Sequence, residues 1–196
     1  MAVLVTSFYS PDYVSDAMEL ARSCRRFNLE SRILPMPMFD SWVDGVAHKP
    51  KFILDVLETI HDGSGLLWTD ADSKFFREPD LSIFNAIDFA ASLFQWSPAH
   101  AVEMLTGTLF FRKTPRVVDF VKRWTLATPT WRKANLDTPE QLSLKATWEE
   151  DRTAKHPLRF LELPREWVFI EPDFKEMYPA MVPVVQHFQA SRRVRR

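Results

Sequence analysis

The strongest constraint on what this chain can fold into is Gly65-Leu66-Leu67-Trp68-Thr69-Asp70-Ala71-Asp72, an apolar run that ends in two carboxylates one residue apart. Such a run, preceded by the chain-breaking His61-Asp62-Gly63-Ser64, reads as a buried strand. Residues i and i+2 of extended chain point the same way, so Asp70 and Asp72 can converge on one point where the strand leaves the core. Two anions so placed repel each other unless a positive charge lies between them. Hard oxygen ligands of this kind suit Mg²⁺ or Mn²⁺. The same pair also fits a strand-to-turn junction in which aspartate caps the turn. Both readings stand at this point.

The rest of the chain places that strand in an alternating series. Ala2–Ser7 reads as a first strand, broken by Pro11 and Asp12. Tyr13–Arg26 follows as a helix with Val14, Ala17, Met18 and Ala21 at helical spacing. Ser31–Leu34 is a short second strand and Pro35–His48 a loop. Pro50 is expected in the first turn of a helix whose apolar stripe is Phe52, Ile53, Val56, Leu57 and Ile60. Beyond the aspartates, Asp88–Leu93, Leu105–Arg112, Arg159–Leu163 and Met181–Phe188 read as strands. Pro115–Thr125 and Pro139–Trp148 read as helices, with Ala127–Asp137 an irregular, mobile connection. Alternation of strands and helices implies an α/β, three-layer fold with a mostly parallel central sheet flanked by helices. Ligands of such sheets collect at the carboxyl ends of the strands, where Asp70 and Asp72 lie.

Composition narrows the class. A chain of 196 residues, 46% hydrophobic and 26% charged, with 16 Phe and 7 Trp, can bury a core as one domain over 1–196. Its single cysteine, Cys24, has no partner in the chain and fits a reducing compartment or indifference to it. No apolar run reaches the length of a membrane span and the N-terminal residues lack signal-peptide form, so the expected setting is cytoplasmic. A net charge of −1 excludes a general polyanion binder. Charge is nonetheless uneven: Ser191-Arg192-Arg193-Val194-Arg195-Arg196 is either a solvated tail or a phosphate-contacting one.

Two further residues depend on the aspartates for their meaning. Gly107, inside the apolar run of Thr106-Gly107-Thr108-Leu109-Phe110-Phe111, marks either a packing need or a place where a ligand nears the backbone. His187 follows the apolar Met181–Val185 and is either a satisfied core histidine or a ligand.

Taken together, these residues resemble the nucleotide-diphospho-sugar glycosyltransferases of the GT-A fold. The block from Ser41 to Leu81 carries Trp42, Lys49-Pro50-Lys51-Phe52-Ile53-Leu54, the Asp70-Ala71-Asp72 motif and Pro79. Thr106-Gly107-Thr108 is similar to that superfamily's Ser/Asn-Gly strand, Pro139-Glu140-Gln141-Leu142 to its Asp-Gln helix start, and Gln186-His187-Phe188 to its C-terminal histidine element. The order and spacing agree over nearly the whole chain. The resemblance implies a nucleotide-binding half over 1–100, a donor-sugar and acceptor half over 101–190, and a basic tail over 191–196. It implies that Asp70, Asp72 and His187 hold Mn²⁺ or Mg²⁺, which would offset charge on the leaving diphosphate of a UDP-linked sugar. Thr6, Tyr9 and Tyr13 would hold base and ribose, Lys49 or Lys51 would reach a phosphate unless each is a solvated lysine, and Ala71 and Gly107 would lie against the donor. Glu140 and Gln141 would face the reacting sugar, with Glu140 or Asp173 as general base if transfer inverts.

Two departures from that pattern stand out. Glu140 occupies a position where the superfamily often has Asp, and the tail after His187 lacks a Gly-x-x-Lys-Pro form; Arg192 or Arg193 is the candidate replacement cation. The acceptor can be a glycan, a small molecule or, given the Arg192–Arg196 tail and Arg22, Arg25 and Arg26, a hydroxylated base in DNA. Trp96, Trp131 and Trp148 are candidates to stack on a sugar or base, or simply core. Two rivals come from other classes: a HAD-type phosphatase with an Asp-x-Asp nucleophile, and a non-catalytic nucleotide-sugar-binding module. Asp72-Ser73-Lys74 does not follow the phosphatase pattern.

Overall fold

A computed structural model of the chain describes residues 1–134 and 137–194, the last two by backbone alone. Its centre is a six-stranded sheet built from β1 (Val3–Tyr9), β2 (Ser31–Pro35), β3 (Gly65–Thr69), β5 (Phe89–Phe94), β6 (Glu103–Arg112) and β7 (Phe160–Glu162), in the order β2-β1-β3-β6-β5-β7. β1 pairs in parallel with β2 and β3, and β5 with β7; β6 runs antiparallel to both neighbours. The reversal follows from length. Residues 95–102 join β5 to β6, too few for the crossover that a parallel pair needs.

Alternation, broken once by a register shift between β5 and β6, divides the side chains between two faces. Val3, Val5, Leu67 and Phe110 pack with Leu20 and Cys24 of α1 (Val14–Arg26). Leu4, Leu66, Trp68, Leu109 and Phe111 face the other way, against Ile53 and Leu57 of α2 (Trp42–Thr59), Phe120 and Trp124 of α3 (Pro115–Lys133), and Leu144 of α4 (Pro139–Arg152). A second, three-stranded sheet of β4 (Ser73–Phe75), β9 (Val185–His187) and β8 (Phe169–Ile170) lies on the α1 side, with the short α5 (Asp173–Met177) beside it. The chain closes with α6 (Ser191–Val194).

Three helices begin or end elsewhere than their sequence suggests: α4 runs four residues past Trp148 to Arg152, and α2 and α3 differ more. α2 starts at Trp42, eight residues before Pro50, because Ser41 caps it: Ser41 Oγ accepts from the Asp44 N–H at 3.2 Å. Pro50 therefore lies within the helix, not in its first turn. α3 runs on through Pro129 to Lys133, so most of the expected irregular stretch from Ala127 is helical. Thr128 explains part of this extension, donating to Trp124 O at 2.9 Å and meeting Ser143 Oγ of α4 at 2.8 Å.

Asp88 ties the start of β5 to the segment entering the edge strand β7. It accepts from Arg159 N–H, Nε and Nη2 at 3.0, 2.9 and 2.7 Å, and these bonds hold its carboxyl below the ordinary aspartate range. A depressed carboxylate stabilises the fold above its unfolded pKa, and that stabilisation is lost as pH falls through the folded one. The stability gap between the native chain and Asp88→Asn should therefore be level near neutrality and close under acid, below about pH 4, as read by urea titrations across pH. Gly65 makes a second demand: a Cβ there would sit 2.5 Å from Phe110 Cε2 and 3.2 Å from Val3 Cγ2, both buried. Gly65→Ala should cost about 1–3 kcal/mol by overpacking, measured as a lower urea midpoint with an unchanged slope.

Candidate active site

The chain leaves the central sheet at Asp70 and turns at once. Asp70 N–H continues the ladder to Gly107 O at 2.9 Å, and Ser73 N–H donates back to Asp70 O at 3.0 Å. The turn delivers the chain into β4, whose Ser73 lies opposite His187 of β9. Asp72 is fixed by the segment that follows β9: its carbonyl accepts from Phe188 N–H at 2.9 Å and its Oδ2 from Ala190 N–H at 2.7 Å. In consequence Asp70, Asp72 and His187, 117 residues apart at the extremes, each bring one ligand atom within 4.8 Å of the others.

The electrostatics fit a cation. Burial, and then the charge of Asp70, raise the Asp72 carboxyl to about 7; a divalent ion between the two would remove that penalty. Burial pushes His187 down to about 4, so its ring is neutral near pH 7, the form a metal takes. Its Nε2 lies 3.0 Å from Thr108 Oγ1, the kind of outer contact that orients a ligating imidazole. Two carboxylates and one neutral imidazole make a donor set suited to Mn²⁺ or Mg²⁺. Gly107 makes room for the ring: a Cβ there would lie 2.9 Å from His187 Cε1 and 3.1 Å from Nδ1.

A buried cation already stands behind this cluster. Lys49, 3% exposed, reaches from α2 to Asp70 Oδ1 at 2.9 Å, Thr106 O at 3.2 Å and Thr106 Oγ1 at 3.3 Å, with Glu140 Oε1 at 3.7 Å. Burial alone would pull its pKa down, but Asp70 and Glu140 together outweigh that and hold it above the ordinary lysine value. Glu140, 2% exposed at the start of α4, is raised by burial, with Lys49 opposing. Its Oε1 accepts from Thr106 Oγ1 at 3.1 Å.

These groups line one cleft of about 920 Å³. Tyr9, Tyr13, Lys49, Asp70, Ala71 and Asp72 lie on its walls, as do Gly107, Glu140, Gln141, Asp173 and His187. Two expected residues do not. Thr6 is fully buried within β1, its hydroxyl donated to Arg32 O at 2.9 Å across to β2. Lys51 points outward to Asp55 at 2.5 Å, because two helical positions past Lys49 turn it to the other face. Of the candidate cations, Arg192 lines the cleft and pairs with Asp173 at 2.7 Å. The Arg193 side chain and Arg195–Arg196 fall outside the described residues. On α1, Arg22 pairs with Glu19, while Arg25 and Arg26 are exposed. Trp96 lines the cleft; Trp148 instead packs on Phe160 at 4.8 Å.

Sequence reading overlooked an aromatic wall. Phe8 meets Phe39, Phe52 and Trp68 at 5.9, 5.1 and 5.4 Å, and Phe8, Phe39 and Trp42 line the cleft. Nothing in its spacing separates it from ordinary core. Thr106 and Thr108 were similarly hidden: the β5–β6 pairing shifts register here, so Thr106 Oγ1 turns to Lys49 and Glu140 while Thr108 Oγ1 turns to the His187 ring beside Gly107.

The architecture is that of a GT-A-like glycosyltransferase fold. It is similar over its whole length to the crystal structure of a glycosyltransferase involved in the glycosylation of the major capsid of PBCV-1, with a TM-score of 0.69 and 14% identity, spanning 96% of that chain. No family model matches the chain and no curated protein matches it in sequence.

Removing the buried cation should unbalance two carboxylates. Lys49→Met is expected to destabilise the fold by about 3–5 kcal/mol. Adding Glu140→Gln should recover part of that loss, and a double-mutant cycle by chemical denaturation measures the coupling.

Proposed function

We propose that this chain is a metal-dependent glycosyltransferase, moving a sugar from a nucleoside-diphosphate donor, UDP-linked, to an acceptor hydroxyl. The observation that carries the reading is the convergence of Asp70, Asp72 and His187 on one point of a cleft walled by aromatic side chains. These three residues would hold Mn²⁺ or Mg²⁺, which when bound supplies charge neutralisation to the donor's diphosphate as the sugar departs.

The protein's own groups do the rest. Tyr9 and Tyr13, with the neighbouring Phe8, offer rings at the end of β1 for the base and ribose. Lys49 holds Asp70 through Oδ1, a contact shared with Trp68 Nε1 at 3.1 Å, and so orients the carboxylate rather than reaching a phosphate. Gly107 lets the sugar and the His187 ring share the space above β6. Glu140, whose burial raises its proton affinity, is the group we place to receive the acceptor's proton; Asp173 is committed to Arg192.

Thermal unfolding against a panel of nucleoside diphosphates, with and without Mn²⁺, tests the donor site. A ligand at about 100 times its Kd adds about 2.7 kcal/mol to stability. We expect a shift with UDP plus Mn²⁺ that is lost in Asp72→Asn, whose amide oxygen can still accept from Ala190 N–H. A shift indifferent to metal, or none with any nucleotide, would make the paired aspartates structural. Release of free sugar from a UDP-sugar would then separate an enzyme from a non-catalytic binding module.

A further inference from the structure

We infer that the acceptor is a neutral, hydroxyl-rich carbohydrate that stacks on Trp96 in the cleft wall. This rests on the glycosyltransferase reading and names the acceptor class for that same site. Trp96 lies in the 95–102 connection, half-buried on the cleft wall. Its ring meets Phe94 edge-on at 4.7 Å and Phe174 of α5 at 6.0 Å. Those two contacts hold it in place before any ligand arrives, so little ordering is left to the binding step. A fixed aromatic face accepts the apolar C–H face of a sugar ring while leaving the sugar's hydroxyls at its edge.

The polar groups of the cleft lining ask for hydrogen-bond donors. Glu103, Gln141 and Asp173 line the same cleft. Gln141 Nε2 already donates to Glu103 Oε2 at 3.1 Å. Among the described residues, the lysine and arginine of the lining are both engaged, Lys49 by Asp70 and Arg192 by Asp173. Carboxylate oxygens are thus in surplus, and one of them, Glu140 Oε2, is buried on the cleft wall with no hydrogen-bond partner among the described residues. Such an atom presents almost no surface itself and adds to the excess of acceptors at this wall.

Away from the Asp70–Asp72–His187 cluster, a further phosphate would bring only acceptors and negative charge to Glu103 and Asp173 in the cleft and to Asp12, Asp40 and Asp137 on exposed parts of its lining. A DNA strand, with one charge per roughly 1.7 Å of duplex axis, is the acceptor this surface suits least. Sugar hydroxyls supply the missing donors without charge.

The test is retention of the full chain, with Mn²⁺ and UDP present, on immobilised neutral oligosaccharides, sulfated oligosaccharides, a lysine-rich peptide and a duplex DNA oligomer. We expect neutral oligosaccharides to be retained. Trp96→Ala should weaken that binding about tenfold or more, as for a lost aromatic anchor, and Trp96→Tyr should restore most of it. The UDP–Mn²⁺ thermal shift should be unchanged in both variants, which separates a lost acceptor platform from a damaged fold. Preference for DNA, sulfated glycan or peptide, no retention of any neutral glycan, or undiminished binding by Trp96→Ala would each overturn the inference. An absent UDP–Mn²⁺ shift in the native chain is instead the failure of the donor reading.

Discussion

Lys49 is enclosed at 3% exposure between Asp70 and Glu140, and the geometry of the cleft hangs on that buried charge. An ammonium taken out of water is tolerated only where carboxylates and carbonyls replace its hydration. Here the replacements come from three elements: Asp70 just past β3, Thr106 on β6 and Glu140 on α4. One cation on α2 therefore couples the strand that carries the aspartates to the helix that carries the candidate base. It also leaves Asp72 without a comparable partner. Its Oδ2 has a backbone N–H, its neighbour Asp70 repels it, and burial adds to the cost.

That imbalance is what makes the cluster suited to a divalent ion rather than being a finished salt bridge. The chain turns tightly through Asp70 O and Ser73 N–H, and returns 117 residues after Asp70 to set His187 against Ser73 and Gly107. The small sheet of β4, β9 and β8 has few strands, and its main consequence is this placement of a neutral imidazole beside two carboxylates.

Local pattern carried much of the architecture. The runs in β1, β3 and β6 are apolar on both faces because each is covered by helices or by the second sheet, and both faces can be read from alternate residues. Helix ends were harder. Pro50 looked like a helix start, yet a serine cap nine residues earlier governs the boundary, and Pro129 sits inside a helix that packing sustains. Tertiary contact overrides propensity in both places.

The two aspartates, Gly107 and His187 were legible as candidates because their residue types and spacing are unusual in apolar runs. The sequence determined that neighbours along β1 and β3 take opposite faces, since a period of two is local geometry, but not where that period slips in β6. It could not say that Lys49 points inward while Lys51 pairs with Asp55 at the surface, that Thr6 spends its hydroxyl on Arg32 O, or that Trp96 rather than Trp148 reaches the cleft. Those outcomes depend on which helix covers which face and on the reversal of β6. They were decided only by tertiary structure, because burial, and with it the cost of an unpaired charge, is a property of the packed chain and not of any segment of it.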